Sequence, residues 1–116
     1  MDTTKKIATR NGFGEEIVAL GKLNDKIYVI DNDIGKSCKT SAFMKELPQQ
    51  YLNVGIAEQN GAGIAAGLAT CGKIPFVVTY AVFGSLRMCE QIRQEICLSK
   101  FKCKICMFSW WCYSCK

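Results

Sequence analysis

A single acid, Glu58, stands between an apolar run and a segment of small residues in the stretch NVGIAEQNGAGIAAGLATCGKIPFVVTY, from Asn53 to Tyr80. It is the one side chain charged at neutral pH between Glu46 and Lys73. A carboxylate so placed either answers the partial positive charge of a helix start or exchanges a proton with something bound beside it. Two other spacings invite chemistry. GAGIAA at Gly61 has the G-x-G-x-x-A form of a dinucleotide fingerprint, in which glycines turn a strand into a helix and an acid ending the next strand holds a ribose. Here Ala57 to Asn60 intervene, and the following apolar run ends in Thr79 and Tyr80 with no acid. The small residues instead make a smooth helix that another backbone can approach closely. Cys103 and Cys106, then Cys112 and Cys115, form two C-x-x-C pairs, the usual half-sites of tetrahedral zinc. Only MFSWW separates them, a far shorter spacer than a zinc ribbon has, and the first pair falls in an expected strand, so no metal is assigned.

Elements must bring these residues together. Phe13, Ile17 and Leu20 recur at helical spacing from Thr9 to Leu23, with Thr9 as N-cap. Lys26–Ile30 reads as a buried strand ending at Asp31, Ser41–Leu47 as a short helix stopped by Pro48, and Tyr51–Val54 as a second strand. Glu58–Thr70 is a long helix, Ile74–Thr79 a third strand, Leu86–Leu98 a helix and Lys102–Phe108 a fourth strand. Strands alternating with helices predict an α/β fold, a parallel sheet with helices on its faces. In such a sheet the strand C-termini and helix N-termini share one edge, where ligands bind. That edge collects Arg10 at the start of the first helix, Asp33 and Ser37 after the first strand, Glu58 after the second, and Tyr80 and Phe83 after the third.

Composition bounds the partners. With 116 residues and 49% hydrophobic content the chain can bury one core. Its net charge of +5 is spread among acids instead of forming a basic run, which argues against nucleic acid. No apolar stretch approaches the roughly 20 residues that span a bilayer, and MDTTKKIATR lacks the apolar region of an export signal. A cytoplasmic protein follows, with Cys38, Cys71, Cys89 and Cys97 as reduced, small apolar residues.

Several separated motifs, in order, carry a resemblance. ATRNGFGEEIVAL from Ala8, VIDNDIGKSCKTSAF, VGIAEQNGAGIAAGLA, GKIPF and the pattern Y-x-x-F-x-x-x-R-x-x-x-Q-I-R, through to KIC at Cys106, resemble the pyrimidine-binding domain of the transketolase family of thiamine diphosphate enzymes. The likeness leans toward the C-terminal subunit of split transketolases. The resemblance implies that Glu58 hydrogen-bonds the aminopyrimidine ring nitrogen opposite the amino group and favours the imino tautomer, which then takes the proton from the thiazolium carbon. It implies that Phe83 stacks on the pyrimidine, that Tyr80 lines the same pocket, that Asp33 lies near the thiazolium side, and that Arg10 and Ser37 bind the phosphate of a sugar substrate. A flat aromatic face suits the first role, and a guanidinium with a hydroxyl suits the last. Arg87 reads as an interface or structural ion pair.

The resemblance also implies a partner. The family holds the cofactor diphosphate through magnesium on another domain, with a G-D-G motif and an asparagine ligand that this sequence lacks. A diphosphate-binding N-terminal subunit is therefore expected, in an oligomer acting on sugar phosphates in the pentose phosphate pathway, with the isolated chain inactive. The family pattern continues past the fourth strand with a histidine-bearing loop, whereas this sequence holds no histidine and runs after Met107 into FSWWCYSCK. The expected organisation is a partial, truncated pyrimidine-binding domain over 1–108 and an unmatched tail over 109–116. A 1-deoxy-xylulose-5-phosphate synthase-like or 2-oxoacid dehydrogenase β-like fragment, and a non-catalytic interaction module, stay open as alternatives.

Overall fold

The computed structural model describes residues 7–109. Helix α1 (Thr9–Leu23) leads into strand β1 (Ile27–Asp31), two short helices α2 (Gly35–Cys38) and α3 (Ser41–Glu46), a 3-10 turn at Pro48–Gln50 and strand β2 (Tyr51–Asn53). Helix α4 (Glu58–Thr70), strand β3 (Ile74–Tyr80), helices α5 (Ala81–Leu86) and α6 (Cys89–Gln91), a π-helical stretch at Ile92–Cys97 and strand β4 (Lys104–Phe108) complete the chain. The four strands form one parallel sheet in the order β2-β1-β3-β4.

Alternation along the strands decides which helix covers which face. Val29, Val78, Cys106 and Phe108 point to the side where Ile17 and Val18 of α1 and Phe43 of α3 pack. Ile30, Val77 and Ile105 point to the other, against Ala62, Ala65 and Ala66 of α4 and Ile96. Val29, Ile30, Val77 and Val78 are fully buried, each worth about 1.5–3 kcal/mol relative to exposure. Small residues let the helices come close. A methyl group at Gly14 would stand 2.6 Å from the Lys39 side chain, and one at Gly21 would stand 2.5 Å from the Phe43 ring.

Helix α4 ends by a Schellman arrangement that turns the chain into β3. Gly72 takes φ 75°, its amide donates to the Ala69 carbonyl, and the Lys73 amide reaches back to Leu68 at 3.1 Å. The Ile74 amide then donates to Lys26 at 2.7 Å and sets the β1–β3 register.

Several sequence expectations need correction. Ala8, not Thr9, is the α1 cap, and no side chain bonds there. The buried stripe of α1 runs through Gly14, Ile17, Val18 and Gly21, which leaves Leu20 partly in water. The helix expected from Leu86 begins at Ala81, directly from the extended Tyr80, and it packs so close to the sheet that a methyl group at Gly84 would stand 2.9 Å from Met107 and 3.0 Å from Thr79. It then breaks into α6 and the π-helical turn. Helix α2 escaped the periodicity because a single turn carries none.

Candidate functional site

The order β2-β1-β3 places a switch point at the C-terminal ends of β1 and β3, the crevice where ligands bind in doubly wound sheets. Asn32 closes its floor by donating its side-chain amide to the Val78 carbonyl at 3.0 Å. Asp31, fully buried, accepts from the Ile34 amide at 2.8 Å and from the Thr40 hydroxyl. The Tyr51 hydroxyl joins this group; burial first, then the Asp31 charge and hydrogen bond, push its pKa well up. This network fixes the loop after β1. Sequence reasoning took Asp31 only as a strand end; its signal was the first acid of an apolar strand's DND terminus.

Asp33 follows with φ 62°, a left-handed conformation that Asp tolerates better than most residues, and accepts from Asn53 Nδ2 at 3.1 Å. Asp33, Ser37 and Tyr80 line one depression of about 430 Å³, together with Lys36, Tyr51 and Asn53. Arg10 is exposed at the start of α1. Its charge reaches the Cys38 thiol beside Ser37, where it opposes a rise to about 12 driven first by burial and then by Asp31.

Glu58 is the first residue of α4 and only 5% exposed. The Ala57 cap brings no side-chain oxygen to the helix start, so the Glu58 carboxylate is the acidic group of that first turn, favoured by the helix dipole. It lines a separate depression of about 330 Å³ with Ile56, Gln59, Asn60 and Arg87. Arg87 Nη1 donates to both carboxylate oxygens, at 3.4 and 3.3 Å. Its guanidinium carbon lies 4.2 Å from the centroid of the Phe83 ring, and Phe83 in turn meets Tyr80 at 6.1 Å between centroids. Arg87, read from sequence as an ion pair of unspecified partner, thus joins Glu58 to Phe83.

The six expected residues therefore divide. Asp33, Ser37 and Tyr80 share one hollow, Glu58 lies in another, Phe83 connects them through Tyr80 and Arg87, and Arg10 lines neither. A larger depression of about 780 Å³ between α1, α2 and α3, lined by Asn11, Lys36, Lys39 and Glu46 among others, contains none of the six.

Cys103 and Cys106 sit on opposite sides of the sheet. Cys103 packs toward α4, with its thiol 3.6 Å from the Ala65 carbonyl, and Cys106 packs toward α1. Burial raises both thiol pKa values, that of Cys106 to about 11. Cys112 and Cys115 lie outside the described residues. Among the described residues no three His, Cys, Asp or Glu side chains gather as metal ligands, and no helix is long and apolar enough to cross a membrane.

A doubly wound parallel sheet with a buried carboxylate at a helix start on its ligand edge defines an α/β binding domain, and its relatives specify which. The family model described as transketolase, pyrimidine binding domain matches residues 5–110; the chain belongs to that family. It is 44% identical over 96 residues to a putative transketolase C-terminal section of Methanocaldococcus jannaschii, a match covering 83% of this chain and 30% of that protein. A 1-deoxy-D-xylulose-5-phosphate synthase of Clostridium perfringens is 34% identical over 105 residues, covering 88% of this chain and 17% of that one. The chain thus spans a third or less of the length of these relatives. Among solved structures, a split gene transketolase described as an inactive β4 tetramer superposes with a TM-score of 0.79 at 52% identity, covering 87% of this chain and 34% of that one. The transketolase of Campylobacter jejuni gives 0.76 at 26% identity, with 87% and 16% covered.

Proposed function

We propose that this chain supplies the pyrimidine side of a thiamine diphosphate site in a transketolase, which transfers two-carbon ketol units between sugar phosphates once a diphosphate-binding N-terminal subunit completes it. The observation that carries the reading is Glu58, a nearly buried carboxylate at the start of α4, joined through one side chain to the face of Phe83. An aminopyrimidine suits this pair, because it offers a ring nitrogen to a carboxyl group and a flat face to an aromatic ring. The cofactor, when bound, supplies the carbon nucleophile of the reaction. Glu58 holds or moves a proton at the pyrimidine nitrogen, Phe83 and Tyr80 orient the ring, Asp33 faces the thiazolium side, and Arg10 and Ser37 hold the substrate phosphate. Magnesium and the diphosphate fall to the partner subunit, in an oligomer of the cytoplasmic pentose phosphate pathway. The split-gene tetramer and the C-terminal-section relative support that division of labour, and the free thiols of the described residues suit a reducing compartment.

The test is Glu58→Gln in a complete form of this subunit reconstituted with its partner. Loss of the proton-carrying group should slow exchange of the reactive thiazolium proton, followed by NMR, by about 10²–10⁴-fold. Exchange at the parental rate would leave Glu58 a helix-start residue and overturn the proposal.

A further inference from the structure

One guanidinium satisfies both groups that an aminopyrimidine would use. Arg87 donates to both oxygens of Glu58 and lies over Phe83 with its central carbon 4.2 Å from the ring centroid. A guanidinium is a planar, delocalised, N–H-bearing group that stacks on aromatic faces and bonds carboxylates. Those are the properties of the aminopyrimidine ring itself. The hollow around Glu58 has Arg87 in its wall and not Phe83, so the guanidinium is interposed between the acid and the aromatic face.

The local sequence builds this placement and also lets it give way. Phe83 and Arg87 are one helical turn apart, with the Arg87 amide donating to the Phe83 carbonyl at 2.9 Å, the spacing at which side chains meet on a helix. The bonds to Glu58 come from one nitrogen and are longer than the roughly 2.7–2.9 Å of a strong charge-assisted pair. Arg87 is 52% exposed, so its head can swing into water while its stem stays on the protein. The neighbouring Glu90 and Arg93 pair with each other at 2.8 Å, and Glu95 lies against Gly63; neither acid contests Arg87 for its place.

We propose that Arg87 is a resident competitor for the cofactor's aminopyrimidine, stacked on Phe83 and bonded to Glu58 until the ring displaces it, and therefore a residue that sets cofactor affinity. The proposal rests on the pyrimidine reading of Glu58 and Phe83. It gives the bound guanidinium a cost to cofactor entry and the released guanidinium a free charge at the mouth of the site.

The experiment uses the full chain and the isolated ring, 4-amino-5-hydroxymethyl-2-methylpyrimidine, with binding followed by NMR. Arg87→Met should bind the probe about five- to tenfold more tightly than the parent, since the competing plane and charge are gone, and Arg87→Lys, which keeps the charge without the plane, should gain about two- to threefold. In the parent chain, saturating probe should move the Arg87 Nε–H resonance to the position of a freely hydrated arginine. Unchanged or weaker binding by both variants, with melting curves that show them folded, would overturn the proposal, as would an Arg87 resonance indifferent to saturating probe. Glu58→Gln keeps the two readings apart. If it weakens binding while the Arg87 variants change nothing, the pyrimidine site stands and the competitor does not; if it has no effect, both fall.

Discussion

Gly61 rests against Asn32 so closely that a methyl group at position 61 would stand 3.0 Å from Asn32 Oδ1. Asn32 is the residue whose amide locks the end of β1 to the Val78 carbonyl of β3. The first turn of α4, and with it Glu58, is therefore seated directly on the joint between the two central strands. Gly63, two residues on and so on the opposite side of the helix, would meet only the Glu95 carboxylate at 3.1 Å, the far end of a side chain that is itself exposed.

Adjacent glycines of one motif should thus respond differently to the same substitution. Gly61→Ala must push Asn32 or lift α4, an overpacking cost of about 1–3 kcal/mol. Gly63→Ala asks only that Glu95 move, and the gain in helix propensity, about 0.8–1.0 kcal/mol, should offset or exceed the cost. Thermal melts of the two variants check this, with about 4–8 °C expected per kcal/mol in a domain of this size. Equal losses would show that the helix is not seated through Gly61.

That contrast marks what the residues did and did not disclose. The central strands were legible as unbroken apolar runs because a parallel sheet covered on both faces buries successive residues alike: Val77 and Val78 are both fully buried, one on each side of the sheet. The ligand edge followed from topology alone. What stayed hidden depends on contacts between distant segments. The close seating of α5 on the sheet is set by Met107 and Thr79 around Gly84, and the depth of Asp31 is set by Thr40 and Tyr51. Arg87 could be read as an ion pair, but its partner, Glu58, lies 29 residues earlier, beyond the reach of any local pattern.

Buried thiols should make the fold sensitive to alkali. Burial raises Cys38 to about 12 and Cys106 to about 11 from an ordinary value of 9.0. A raised thiol pKa means that the folded chain holds its proton where the unfolded chain releases it, so the stabilising contribution is complete below about pH 9 and is lost as pH rises toward the folded values. Stability should fall between pH 9 and 11, by about 1.4 kcal/mol per pH unit for each fully linked thiol. Denaturant melts across that range measure it, and Cys38→Ala should flatten the slope. A slope unaffected by this substitution would place the alkaline transition elsewhere.

If Phe83 is the stacking face of the pyrimidine site, Phe83→Ala in the reconstituted enzyme should weaken cofactor binding, while Phe83→Tyr should retain most of it. Aromatic pairs contribute about 0.5–1.5 kcal/mol beyond burial, equivalent to about two- to twelvefold in Kd. Calorimetry with thiamine diphosphate and magnesium reads the difference. Parental affinity in Phe83→Ala would remove Phe83 from the site and leave it as packing against Tyr80.

The phosphate reading of Arg10 and Ser37 makes the most selective claim, because it concerns one end of one substrate. The Arg10 charge bears on the Cys38 thiol, next in sequence to Ser37, although Arg10 and Ser37 line no common depression. A charge-assisted hydrogen bond is worth about 1.5–3 kcal/mol, or about 10–150-fold in affinity. Arg10→Ala should therefore raise KM for a phosphorylated ketose by about that factor while kcat holds, since binding made equally in ground and transition states affects KM alone. Ser37→Ala removes a neutral partner and should raise KM by about threefold to tenfold. The decisive comparison is an unphosphorylated ketose, for which both variants should match the parent. If Arg10→Ala slows turnover of both substrates alike, the residue acts on the fold of the α1 start and does not hold a phosphate.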